Sequence, residues 1–322
     1  CNFPHNSIMV QTTVGGSLGE TDDDLRWLVD YIQTNDPDGE GYYQAYTHIA
    51  PDETIMEETD EEHFYQIGGA TIFDNNGVKE LQMLWGEMDN HEGKMTRTGT
   101  CLAVYSLEGQ PGNSTYLKRI SKNEEFNTDD VGYGSTIWKD EDGHIYLYVT
   151  ENNRPLVART TTHDLTSEWE YYIRDLSGNF MWQKMYPTKE ERTRSTIMEN
   201  NYVCSMPQIF KKGDYYYMIG QAVSYGHSVY LYRGETPYGP FTDQKILFNV
   251  PYAVDKIGNQ YYKNLLRVNL HLELAREGEL VFSTNTDADT AGDNFDFPGS
   301  ADFCRPYFYR VFNWESIYDE DE

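Results

Sequence analysis

Residues 144–162 read HIYLYVTENNRPLVARTTT. The first part, 144–151, is an aromatic-rich strand that ends on a polar residue, and the second, 154–162, is a strand that opens on a basic one. Tyr, Val, Ile and Thr at this density fit a pleated, half-buried surface better than a helix. The same two-part beat recurs along the chain. Its first member returns as ELQMLWGE (80–87), DYYYMIGQ (214–221) and GELVFSTN (278–285). Its second member returns as HNSIMVQTT (5–13), GTCLAVYSLE (99–108), HSVYLYRGE (227–235) and RPYFYRVFNW (305–314). Strand-rich self-similarity at irregular spacings of roughly 50–70 residues predicts a β-propeller whose loops differ in length. The second member occurs five times and the first four, so the chain is expected to start inside its first blade.

The expectation is therefore an all-β, five-bladed β-propeller forming a single domain over 1–322, its first blade lacking the N-terminal strands. The blades fall at about 1–62 (partial), 63–121, 131–180, 202–250 and 264–314. No Pro- or Ser-rich linker divides the chain. Asn76-Gly77 is a two-residue hairpin signal, because primed turns want positive φ at both central positions. Asp140-Glu141-Asp142-Gly143, Lys211-Lys212-Gly213 and Arg276-Glu277-Gly278 are read as the corresponding turns of later blades. EWEYYI (168–173) is expected as the outer strand of its blade, and NLHLEL (269–274) as the inner strand of the last. Gly19 to Glu62 is long, acidic and poor in strand pattern, with a short helical period over 25–32. The tail YDEDE is expected to be frayed and solvated.

Fifty-three acidic residues against 25 basic give a net charge of −28. Such a field repels phosphate backbones, so nucleic acid and anionic membranes are poor partners. The acid excess is either a solvated surface or, in part, a carboxylate-lined site. No stretch is long and apolar enough for a membrane span. The four cysteines form no CxxC pair, and those at 101 and 304 read as small apolar packers on strands. A mature lipoprotein can begin on a cysteine, an alternative for Cys1 beside the reading of the strand from His5 as the third of a blade. The expectation is an extracytoplasmic monomer.

Aligning the first members of the beat puts Glu87, Glu151, Gln221 and Asn285 at one equivalent position. Polar residues at strand ends on one face of a propeller surround a common depression, where two carboxylates approach within the ~5–10 Å that glycosidases use. The plain alternative is that these side chains close strand ends with hydrogen bonds. His271 and Glu273, two apart on an expected strand, share a face and could hold a sugar hydroxyl, exchange a proton or bind a cation. The alternative there is a buried His–Glu bond that pins the strand. Arg305, with His5, Arg154 and His227 at matching positions, suggests partners for carboxylates. Tyr65, Trp85, Tyr133 and Tyr225 near strand ends could pack on sugar rings. No P-loop, GxGxxG, GxSxG or HExxH motif occurs.

The ordered set VGYGSTIWKDEDGHIYLYVTE, PLVARTTTHDLTSEWEYY, MPQIFKKGDYYYMIGQ, TPYGPFTDQKILF, HLELAREGELVFSTN and CRPYFYRVFNW resembles five-bladed β-propeller glycoside hydrolases. It is similar to arabinanase- and xylosidase-type propellers and to bacterial families of unknown function, one lineage of which includes endo-D-arabinanases. The resemblance spans 5–314 and implies a glycosidase acting on a polysaccharide or oligosaccharide, of arabinan type or related, by paired carboxylates. It implies site positions His5, Asn6, Glu151, His271, Glu273 and Arg305. Glu151 is the expected acid/base and Glu87 or Glu273 its partner; Tyr65, Tyr133, Gln221 and Asn285 are expected to bind substrate. No cofactor is expected, with Ca²⁺ near His271 the one ion weighed. These relatives open on a strand with a Phe-Gly-Asp motif before one resembling FPHNSIMVQ, and only the latter stands here, so an axial carboxylate is expected to lie outside this chain. The alternatives are a glycan-binding propeller without catalysis and a structural module of a surface complex.

Overall fold

The computed structural model describes residues 9–11, 47–49, 63–91, 94–109, 115–127, 130–200, 202, 204–221, 226–250, 256–257, 260–261, 264–287 and 307–321. The chain groups into two compact units, Cys1–Ile145 with Thr160–Glu168, and Tyr146–Arg159 with Trp169–Glu322. The fold is an all-β propeller, mostly strand with very little helix. Five blades are expected from the sequence; the described residues hold four blade sheets. Residues 1–62 contribute the pair β1 (Met9–Gln11) and β2 (Thr47–Ile49), antiparallel, so a strand stands in a stretch read as poor in strand pattern.

In the first unit β3 (His63–Asn75), β4 (Val78–His91), β5 (Lys94–Leu107) and β6 (Tyr116–Asn127) form an up-and-down sheet. Asn76 and Gly77 both have positive φ, 54° and 90°, as the two-residue turn requires. Alternation along β4 and β5 sends Met83, Trp85, Cys101, Ala103 and Tyr105 into one core, with Leu117 of β6 beside them. Strand β6 was not foreshadowed by the apolar beat, because YLKRISKNEEFN is charged in the manner of an edge strand. Gly69 of β3 donates from its backbone N–H to Gly134 O at 2.7 Å. A Cβ at Gly69 would stand 2.8 Å from that oxygen, so only glycine allows the approach.

The third sheet runs β7 (Thr136–Lys139), β8 (Ile145–Glu151), β9 (Arg154–Thr160), β10 (Trp169–Arg174) and β11 (Phe180–Gln183). EWEYYI is therefore not the outer strand: Asp175 accepts from the Asn179 N–H at 2.8 Å and turns the chain into β11. Helix α1 (Lys189–Arg194) follows, with a capping box between Thr188 and Glu191. Strands β12 (Ser205–Lys212), β13 (Tyr215–Gln221), β14 (Ser228–Gly234) and β15 (Thr242–Asn249) make the next sheet. A small pair, β16 (Lys256–Ile257) and β17 (Gln260–Tyr261), precedes the three-stranded sheet of β18 (Asn264–Leu270), β19 (Glu279–Asp287) and β20 (Tyr307–Phe312).

Two further expectations fail in this unit. Strand β18 ends at Leu270, and residues 272–274 form a 3-10 turn with Leu272 exposed and Leu274 buried, so His271 and Glu273 do not lie on a strand. The apolar alternation of LHLEL suits either geometry; the His271 N–H still bonds Val281 O across the sheet at 2.8 Å, and the chain then turns through Leu274 N–H to His271 O at 3.2 Å and Ala275 N–H to Leu272 O at 3.1 Å. The tail does not begin frayed. Trp314 and Tyr318 are 4% and 6% exposed in a 3-10 segment, Trp314 edge-on to Phe210 and Tyr217 at 5.3 and 4.9 Å.

Candidate functional site

Alternation on β4 places Glu87 on the face of Met83 and Trp85, one step past the apolar core. Its neighbour in register on β5 is Gly99, where a Cβ would stand 2.9 Å from Glu87 Oε2, so the carboxyl group lies over bare backbone. Its neighbour on β3 is Tyr65, whose hydroxyl donates to Glu124 Oε1 at 2.6 Å. Lys122 Nζ meets the same oxygen at 2.6 Å and sits 4.8 Å from the Tyr65 ring centroid. Tyr65, Glu87, Thr98 and Glu124, with the apolar Phe64 and Met88, line a cleft of about 210 Å³.

The two carboxyl groups have opposite environments. Burial, then the charge of Glu124, push the Glu87 carboxyl up from the ordinary range, against the weaker pull of Lys122 and Arg97. Glu87 Oε1 is buried with no hydrogen-bond partner among the described residues. Hydrogen bonds from Lys122 and Tyr65 hold Glu124 below the ordinary range. A carboxyl that resists ionisation beside one that favours it is the pairing that divides acid from base or electrostatic roles. Sequence reasoning missed Glu124, because nothing in KNEEF marks one of its two glutamates out.

Glu151 is the last residue of β8, facing Arg154 across a two-residue Asn152-Asn153 turn whose φ values are 53° and 59°. Arg192 of α1 reaches it with a fork: Nε to Oε2 at 3.2 Å and an Nη to Oε1 at 3.3 Å, while the other Nη donates to Pro187 O at 3.0 Å. The Arg192 side chain is 4% exposed and that of Glu151 19%. A bidentate guanidinium suits an anionic carboxylate that is fixed in place, and does not suit a proton donor. Glu151 and Gln221 end their strands, whereas β4 and β19 run past Glu87 and Asn285 to His91 and Asp287, so the four do not occupy one strand-end position.

His271 does meet Glu273, Nδ1 to Oε1 at 3.1 Å, and its Nε2 lies 2.7 Å from Ser283 Oγ. Burial alone would raise Glu273, but the His271 hydrogen bond, a backbone hydrogen bond and the His271 charge together outweigh it and leave the carboxyl lowered. The order Ser–His–Glu is that of a nucleophilic triad, but Ser283 is only 6% exposed in β19, closed to an incoming carbonyl. The contacts tie the 3-10 turn to its neighbouring strand. Gln221 is 1% exposed, its Nε2 donating to Gly226 O and Leu265 O at 2.7 and 3.1 Å, and Tyr133 is 2% exposed. Trp85 is likewise core. Asn285 lies in β19 opposite Leu266. His5, Asn6, Tyr225 and Arg305 lie outside the described residues. Among the described residues no three His, Cys, Asp or Glu side chains converge to hold a metal ion, and no helix is long and apolar enough to cross a membrane.

A crystal structure from Bacteroides ovatus ATCC 8483, described as a "putative hydrolase", is 53% identical to this chain. It covers 98% of this chain and 78% of its own, with a TM-score of 0.80. An exo-β-1,3-galactanase from Phanerochaete chrysosporium is 12% identical over 77% of this chain and 46% of its own, with a TM-score of 0.43. An α-L-arabinofuranosidase from Lactobacillus brevis is 8% identical over 82% and 78%, with a TM-score of 0.45. Likeness at those two scores carries no argument about this chain. No curated protein matches it. Residues 1–314, nearly the whole length, match one family, and the chain belongs to it: the family described as Domain of unknown function (DUF5005).

Proposed function

We propose that this chain is a glycoside hydrolase of the single propeller domain expected from its sequence, with Glu87 as proton donor. The observation that carries the reading is the Glu87 carboxyl, pushed up by burial, with Oε1 unbonded among the described residues, at the wall of a cleft that also holds an ionised carboxylate. In this scheme Glu87 gives its proton to the glycosidic oxygen as the bond to the anomeric carbon breaks, and a water molecule then bonds to that carbon and returns a proton to Glu87. Glu124, anchored by Lys122 and the Tyr65 hydroxyl, supplies the negative charge that favours an oxocarbenium-like centre. The hydrolytic description of the 53% identical relative supports the class of reaction. The sequence resemblance supports arabinan-type polymers as first substrates to test, and an endo-D-arabinan preference rests on that resemblance alone. Extracytoplasmic placement and a monomeric state belong to the same proposal. The Arg192 fork favours a second role for Glu151, holding sugar hydroxyls as a fixed acceptor. Reducing-sugar release from arabinan, arabinoxylan and galactan tests the reading. Turnover by the wild type that falls at least a hundredfold in Glu87→Gln supports it; equal turnover in that variant overturns it.

A further inference from the structure

Tyr215 and Gln221 stand at opposite ends of β13. Around Tyr215 opens a second cleft, of about 400 Å³, lined by Tyr215, Arg233, Glu235, Thr236, Thr242 and Asp243. That volume lies within the ~300–1,000 Å³ of small-molecule pockets. The Arg233 guanidinium is held between two rings, 5.1 Å from the Tyr215 centroid and 4.6 Å from that of Tyr318. Its Nε donates to Asp243 Oδ2 at 2.7 Å, and its terminal nitrogens have no hydrogen-bond partner among the described residues. Asp243 takes a left-handed backbone, φ 53°, while its carboxylate receives that bond. The result is a donor fork fixed in orientation, an aromatic ring 38% exposed, and exposed carboxylates and half-buried threonine hydroxyls on the same walls.

We propose that this cleft is a carbohydrate-binding site for a neutral sugar residue of a glycan, built from residues distinct from those of the Glu87 cleft. A sugar ring offers an apolar C–H face to Tyr215 and a fan of hydroxyls that accept from the Arg233 fork and donate to Glu235 or Asp243. An anionic ligand would also suit a guanidinium, but here it would meet two carboxylates in a chain of net charge −28. The charge balance therefore selects neutral sugars over uronates and sulfated glycans. Such a site holds a polymer whether or not Glu87 is a catalyst.

The test is native affinity electrophoresis of the full chain in gels cast with arabinan, arabinoxylan or galactan, and in gels with polygalacturonate. Retardation of the wild type in a neutral gel, weakened at least tenfold in Tyr215→Ala and in Glu235→Gln but kept in Glu87→Gln, supports the proposal. Because Tyr215 and Glu235 are both exposed, the two variants should fold, and near-ultraviolet circular dichroism checks that they do. No retardation in any neutral gel overturns it, as does stronger retardation in polygalacturonate. Retention lost in Glu87→Gln and unchanged in Tyr215→Ala also overturns it, while leaving the Glu87 reading intact.

Discussion

At the scale of single residues, Glu87 carries a sign that can be measured. Its folded carboxyl is raised above the unfolded one, so its contribution to stability is full below the ordinary carboxylate range and is lost as pH rises through the raised value. Glu87→Gln removes that loss. The variant should melt at a temperature close to the wild type near pH 4 and above it near pH 8, while activity falls; a gap that runs the other way sinks the assignment. Arg192 makes the opposite case. Arg192→Met strands a mostly buried Glu151 carboxylate, and breaking such a pair costs about 3 kcal/mol. The double variant Arg192→Met with Glu151→Leu should recover much of that in urea unfolding, since both charges are then gone. Glu87 and Glu151 were legible in the sequence, because each closes an apolar run. Glu124 and Arg192 were not, because their partners lie 59 and 41 positions away and only the fold brings them together.

At the scale of elements, the strand pairs of the recurrent beat were readable, as were hairpins with a sequence mechanism. Asn76-Gly77 is one, and two glycines near it separate two costs. Gly77 has φ 90° and open space around a Cβ, so Gly77→Ala pays only for backbone strain, about 1 kcal/mol. At Gly69 a Cβ would meet Gly134 O at 2.8 Å and Ile137 Cγ2 at 2.6 Å, and backbone cannot step aside as a flexible side chain does. Gly69→Ala should therefore cost more, about 2–3 kcal/mol, and loosen the segment ahead of β7. Urea midpoints of the two variants check the order, and equal midpoints would remove the close approach as a design feature. The elements that the sequence hid are those without an apolar beat. Strand β6 is charged along its length, β11 follows an Asp175 turn outside the repeat, and HLEL alternates like a strand yet closes as a 3-10 turn.

At the scale of the whole chain, 27 tyrosines are what lets a sequence of modest hydropathy build packed sheets: the rings interlock, and hydroxyls such as those of Tyr65, Tyr148 and Tyr318 donate to Glu124, Pro237 O and Asp243 O. Tyr172 shows the ring packing, tilted by 40° to Trp182 at 4.7 Å and edge-on to Tyr238 of the β14–β15 loop at 5.0 Å. Charge works against that packing. With 53 acidic and 25 basic residues, every cation could be paired and more than half of the carboxylates would still face one another. Repulsion among them should dominate over attraction at low ionic strength. Screening shortens from ~30 Å at 0.01 M salt to ~8 Å at 0.15 M, which weakens long-range repulsion first and leaves buried pairs such as Glu151–Arg192 nearly untouched. The melting temperature should therefore climb between 10 and roughly 150 mM NaCl and then flatten, and KCl should give the same curve because the effect is screening and not ion binding. A melting temperature that falls over this range would mean that exposed ion pairs contribute more to the fold than the acid excess costs it.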